Sequence, residues 1–206
     1  MPKRKHKYRP IMQMPHCCVC ATLQMIFYRQ GLDIMTQEEI GAELGLRMPL
    51  RMRELFTDER IKWLSDDSKE NFGTRIRKKG CRVNDFFGRH GIALKISKLY
   101  RMNSVENIDN FLCQNLSDEV DIIVSSMANL RTKRGYELHG HFALVDGADF
   151  AKEIVYVCDS DIPHWKEVTF SDLVYRMSGE IDRRVRGFYK VVCALGASAM
   201  SGRSKK

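Results

Sequence analysis

The sequence predicts a single-domain α+β fold. Two observations point there. Helical patterns come first along the chain and mostly antiparallel strand patterns follow, which argues against a doubly wound sheet. The 206 residues are also enough for one sizeable core, with no internal repeat or linker to divide them.

The elements can be taken in order. From Cys18 to Gln30, Ala21, Met25 and Tyr28 recur at helical spacing, Leu23, Ile26 and Phe27 widen the face, and Gly31 stands where a C-cap belongs. Thr36 with Glu39 three residues on forms a capping box, which starts a short helix running to about Leu44. Residues 46–80 are charge-rich and read as irregular, with one short helix near 58–65. A helix over 82–91 ends at Gly88 or Gly91, and "IALKISKLY" (92–100) alternates as a strand. Ser104 caps an amphipathic helix over 104–116, and "VDIIVSSM" (120–127) reads as a buried strand. "HGHFALVDGAD" (139–149) and "EIVYVCDSD" (153–161) form a hairpin. A short helix at 169–179 and a closing strand at 186–195 complete the chain.

The formal charge of +8 sits largely at the ends: residues 2–9 and 202–206 contain Lys and Arg but no acid. These read as flexible basic tails, 1–10 and 197–206, flanking a domain at 11–196. They suit an acidic partner, and since no nucleic-acid module follows them, a nucleic-acid partner is not expected. No window approaches the roughly 18 apolar residues of a membrane span, and no secretory signal is visible, so a cytoplasmic protein is expected. Seven cysteines without regular spacing make a poor disulfide framework and fit reduced thiols.

Chemistry concentrates in "IMQMPHCCVCATLQMIFYRQG" (11–31). Cys17 and Cys18 stand where the first helix begins, and a helix N-terminus stabilises a thiolate. A proton acceptor must come from elsewhere. His139 and His141 open the strand "HGHFALVDG", on one face by alternation, with Phe142 on the other. The hairpin partner ends in "VCDSD", so a carboxylate there is within reach of an imidazole and able to fix its tautomer.

These motifs resemble the papain-fold cysteine peptidases of the bacteriocin-processing, double-glycine-leader type and their stand-alone relatives. The family carries Gln before Cys-Gly-x-Ala-x-Leu, an apolar helix closed by Gly, then "HFVVL", a hairpin and "DP". In this chain "CVCATLQMIFYRQG" matches the Cys helix, "GHFALVDGADFAKEIVYVCDSD" matches the His strand and hairpin, and "WKEVTFSDL" and "TQEEIGAELGL" match flanking segments. The resemblance covers 11–45 and about 138–195 and implies a papain-like fold. It also implies Cys18 as nucleophile, His141 as base, Asp159 as orienting carboxylate and Gln13 as oxyanion donor. The Cys helix would pack against an antiparallel sheet carrying the His and Asp.

The implied reaction is cleavage of a peptide or protein amide through an acyl-enzyme, with no cofactor and no metal. Oxyanion donors of this kind are worth ~3–4 kcal/mol. An acyltransferase or a catalytically inactive binding module on the same scaffold are the alternatives. Val19 replaces the family's Gly and would narrow the approach to Cys18, and Ser160 replaces its Pro. Cys17 is the alternative nucleophile. "HCCVC" lacks the second Cys pair of a zinc site. Cys20, Cys81, Cys113, Cys158 and Cys193 are expected as small buried hydrophobes, and Asp146 and Asp161 as turn residues.

Overall fold

The computed structural model describes residues 7–68, 72–74, 76, 82–132, 135–161, 164–178 and 186–194. Residues 1–6 and 197–206 of the expected tails, and Cys81, lie outside the described residues.

Helix α1 spans Cys18–Gln30 and is buried from Val19 through Phe27, so it is a central core helix and not a surface one. Gly31 ends it in the left-handed conformation (φ 66°), its N–H donating to the carbonyls of Phe27 and Tyr28. Helix α2 (Gln37–Glu43) starts at the full Thr36–Glu39 capping box. Strand β1 (Arg47–Pro49), a 3₁₀ turn (Leu50–Leu55) and β2 (Lys62–Leu64) follow, with β1 and β2 parallel. The helix expected near 58–65 is instead a turn running into the short strand β2. The backbone N–H groups of Thr57 and Asp58 donate to the Glu38 carboxylate, and Asp58 holds the Arg60 N–H and guanidinium in a local turn. The helix fails at Lys62, whose N–H would turn back to the Asp58 carbonyl in a helix but donates to the Leu46 carbonyl at 3.0 Å.

Helix α3 (Val83–Arg89) leads to β3 (Leu94–Ile96) and β4 (Tyr100–Arg101). The one strand expected over 92–100 is split because the Ser97 hydroxyl, not a strand carbonyl, accepts from the Lys190 N–H. Helix α4 (Val105–Asn115) is capped by Ser104. Then come β5 (Asp121–Thr132), β6 (Gly135–Asp149), β7 (Ile154–Asp159), β8 (His164–Thr169), α5 (Phe170–Met177) and β9 (Gly187–Cys193).

The protein is thus α+β around one antiparallel sheet. Its seven strands run β3-β9-β5-β6-β7-β8, with β4 also on β9. The closing strand β9 lies inside the sheet, between β3 and β5. Alternation along β6 feeds two cores. Leu144 joins Leu23, Ile26, Phe27, Phe86 and Phe87 beneath α1, α2 and α3, while Ala143 and Val145 join Val124, Phe170, Leu173 and Phe188 beneath α4 and α5. Helix α1 crosses β6, where the Thr22 hydroxyl donates to the Phe142 carbonyl.

Three expectations need correction. Residues 7–10 are part of the packed body and not a tail. Tyr8 is 2% exposed, and its hydroxyl lies 2.6 Å from the fully buried Asp121 carboxylate, which also accepts from Arg29 and Gln30. Asp146 is not a turn residue: it is buried at the β6 bulge and accepts from the N–H groups of Lys7 and Tyr8. Cys113 and Cys193 are exposed, one lying off the buried Ile108–Phe111–Leu112 stripe of α4 and the other closing β9. Cys20 and Cys158 are buried. Among the described residues no helix is long and apolar enough to cross a membrane.

Candidate active site

The loop before α1 is turned tightly, with the Cys17 N–H donating to the Met14 carbonyl. His16 adopts a left-handed φ of 59°, a strained value for a non-glycine residue, and its ring lies tilted against Phe72 with centroids 5.4 Å apart. This turn delivers Cys17 as the helix N-cap and Cys18 as the first helical residue. Cys17 and Cys20 are fully buried, and the Cys20 thiol is pushed well up by its hydrogen bond with Cys17 and by burial. Cys18 alone of the three reaches partly to the surface. Val19, standing where the family carries Gly, is 2% exposed and points into the core.

His141 and Asp159 extend from β6 and β7. Both are buried, and His141 Nε2 lies 2.8 Å from Asp159 Oδ1. The Cys18 thiol is the second group close enough to the imidazole to raise it. With Nε2 engaged by Asp159, Nδ1 is the ring nitrogen left to exchange a proton with Cys18. Burial opposes charge on His141, but the hydrogen bonds of Asp159 and Cys18 outweigh it, and the imidazole is pushed up to about 10. Burial likewise works against the Asp159 anion. His141, Lys166 and the Asp161 N–H overcome it and hold the carboxyl well below the usual range.

The structure brings Cys18, His141 and Asp159 together, and Gln13 lies at the edge of the group. The Gln13 N–H donates to the Ser160 carbonyl at 2.8 Å, the Ser160 hydroxyl donates to Gln13 Oε1 at 2.9 Å, and Gln13 Nε2 is 3.4 Å from Asp161 Oδ1. Gln13 therefore ties the loop before α1 to the turn after Asp159. Asp161 is a turn residue with two uses: its N–H donates to Asp159 Oδ1 at 2.9 Å, and its carboxylate faces Gln13.

Arg51 and His139 stand near His16, before α1. Burial, followed by the charges of Arg51 and His139, depresses His16. Behind His141 and Asp159, on the α5 side, lies a cavity of about 550 Å³ with Val124, Ala143, Leu173, Trp165 and Lys166 in its wall. Among the described residues no group of three or more His, Cys, Asp or Glu is arranged to hold a metal ion.

Sequence reasoning missed Lys166, whose Nζ lies 2.8 Å from Asp159 Oδ2. Its signal was there to find. Had "HWKEVT" been paired with β7 as a strand, alternation would have set Lys166 opposite Val157, on the face that carries Asp159. No protein-family model matches the chain. No curated protein matches it either.

Proposed function

We propose that this protein is a cysteine peptidase of papain-like type, resembling the bacteriocin-processing peptidases, which cleaves a peptide or protein amide through an acyl-enzyme on Cys18. One observation carries the reading: a partly exposed thiol at a helix N-terminus stands close enough to a buried imidazole to raise it, and that imidazole is held by a buried carboxylate at 2.8 Å.

In this reading His141 takes the Cys18 proton and the thiolate attacks the carbonyl carbon. His141 then returns a proton to the leaving amine. Water, activated by the same imidazole, attacks the thioester and releases the acid. Asp159 keeps the ring oriented and stabilises the imidazolium without itself taking the proton. The Gln13 amide and the backbone N–H near Cys18 serve the developing oxyanion. The Val19 side chain is buried in the core and does not stand in the approach to Cys18.

The test is product analysis of wild type and Cys18→Ser with a peptide library, with and without an added amine. Cleaved peptides that depend on Cys18 support hydrolysis. Acyl-amine products in place of acids would instead indicate an acyltransferase. Neither product from the folded wild type would leave only a binding module.

A further inference from the structure

We propose that Lys166 is a positioning residue of this site: it clamps the Asp159 carboxylate against His141 and, through its charge, sets the pH range over which Cys18 and His141 work. This rests on the reading above, in which those two groups exchange a proton.

The geometry divides the carboxylate in two. Oδ1 lies 2.8 Å from His141 Nε2 and accepts from the Asp161 N–H at 2.9 Å, while Oδ2 accepts from Lys166 Nζ at 2.8 Å. A carboxylate held by one oxygen can rotate away from its histidine, and one held by both cannot. Asp159 has little water to replace a lost partner, since its side chain is 8% exposed, while that of Lys166 is 33% exposed. The clamp is built by strand register. Lys166 stands opposite Val157, two residues from Asp159 on the same face, within the diagonal reach of a long side chain.

Charge gives the second role. Asp159 alone presents one negative charge to His141, and Lys166 cancels it at short range. A cation so placed favours a Cys18 thiolate and disfavours an imidazolium. Its removal therefore moves both events to higher pH, whereas removal of Asp159 moves both to lower pH. At several ångströms in a partly solvated site the Lys166 effect is about 0.5–1 pH unit.

The other charged groups facing this centre remain in place. They are Glu167 on β8, Asp172 and Arg176 on α5 (paired at 2.8 Å) and Asp161 in the turn. Arg186 packs against Gly140, and His139 and Arg51 stand near His16. Asp146 lies toward Cys158. A shift on changing residue 166 is thus assigned to Lys166.

The experiment compares Lys166→Met, Lys166→Arg and Asp159→Asn in the full chain with two readouts. One is the pH dependence of iodoacetamide alkylation at Cys18. The other is the NMR titration of the His141 ring in a Cys18→Ser background, which needs no reactive thiol. Lys166→Met is expected to move the acid limb of alkylation and the His141 titration up by ~0.5–1 unit. Lys166→Arg should restore both, and Asp159→Asn should move both down. A His141 titration unmoved or lowered in Lys166→Met overturns the role of Lys166. A wild-type Cys18 that alkylates no faster than the other thiols overturns the peptidase reading instead, while the ring titration still judges Lys166.

Discussion

His141 Nε2 lies 2.8 Å from Asp159 Oδ1, with the two side chains only 7% and 8% exposed. A charge-assisted bond in so dry a place makes stability depend on pH. His141 is raised from 6.5 to about 10, so its contribution is complete below about pH 6.5 and is lost as pH climbs toward 10. Asp159 is lowered from 3.8, so its contribution is complete above about pH 4 and is lost as pH falls below that. The stability gap between wild type and Asp159→Asn should therefore be widest between about pH 4 and 6.5 and shrink toward pH 10. Denaturant titrations across that range check it, and a gap that widens toward alkaline pH would refute the pairing.

Gln13 braces the loop before α1 through Ser160 and Asp161. If its amide also serves the oxyanion, Gln13→Ala should lower kcat by about 10²-fold with little change in KM. Ser160→Ala, which removes only the hydroxyl that orients Gln13, should cost much less. Equal losses in the two variants would reduce Gln13 to a brace.

Tyr8 closes a buried charge cluster on Asp121, 2.6 Å from its carboxylate. Tyr8→Phe should cost about 1.5–3 kcal/mol, as a lost hydrogen bond to a charged group. Asp121→Ala should cost about 3–5 kcal/mol, because it leaves the partly buried Arg29 and Lys7 without their shared counter-charge. Urea melts of the two variants decide this. Deletion through residue 8 should destabilise at least as much as Tyr8→Phe, and an unchanged midpoint would contradict the anchoring.

Gly187 opens β9 where a Cβ would stand 2.0 Å from the Tyr100 carbonyl oxygen, so Gly187→Ala should cost more than about 3 kcal/mol or prevent folding. Gly31 has a left-handed φ of 66° but open space around it, and Gly31→Ala should cost only about 1–2 kcal/mol. Thermal melts that rank the two in the reverse order would count against the β4–β9 pairing.

What the sequence disclosed, it disclosed through local signals. The Thr36–Glu39 box, the Ser104 cap and Gly31 act within a few residues of themselves, and each element they mark is present. Alternation in "HGHFALVDGAD" set His141 and Ala143 apart from Phe142 and Leu144 without knowledge of any partner. Features that depend on distant chain were hidden. Nothing near residues 187–193 says that they pair with both β3 and β5, more than 60 residues upstream. Tyr8 looked like part of a basic tail because its partner, Asp121, is 113 positions away. Residues 58–64 lost their helix to pairing with β1 and the Leu46 carbonyl, more than ten positions upstream. Lys166 went unseen for a related reason, since its role exists only once β8 is in register with β7.

The most direct test of the central claim is a pH series of iodoacetamide alkylation on the folded protein, mapped by peptide mass, with His141→Ala alongside. The account predicts that Cys18 reacts well ahead of Cys17, Cys20 and the exposed Cys113 and Cys193 at pH 6–7, and that His141→Ala abolishes this lead. If Cys18 reacts no faster than the exposed thiols, and only as pH nears the ordinary cysteine value of about 8.5, then Cys18 and His141 do not form a nucleophile–base pair and the proposed peptidase chemistry is wrong.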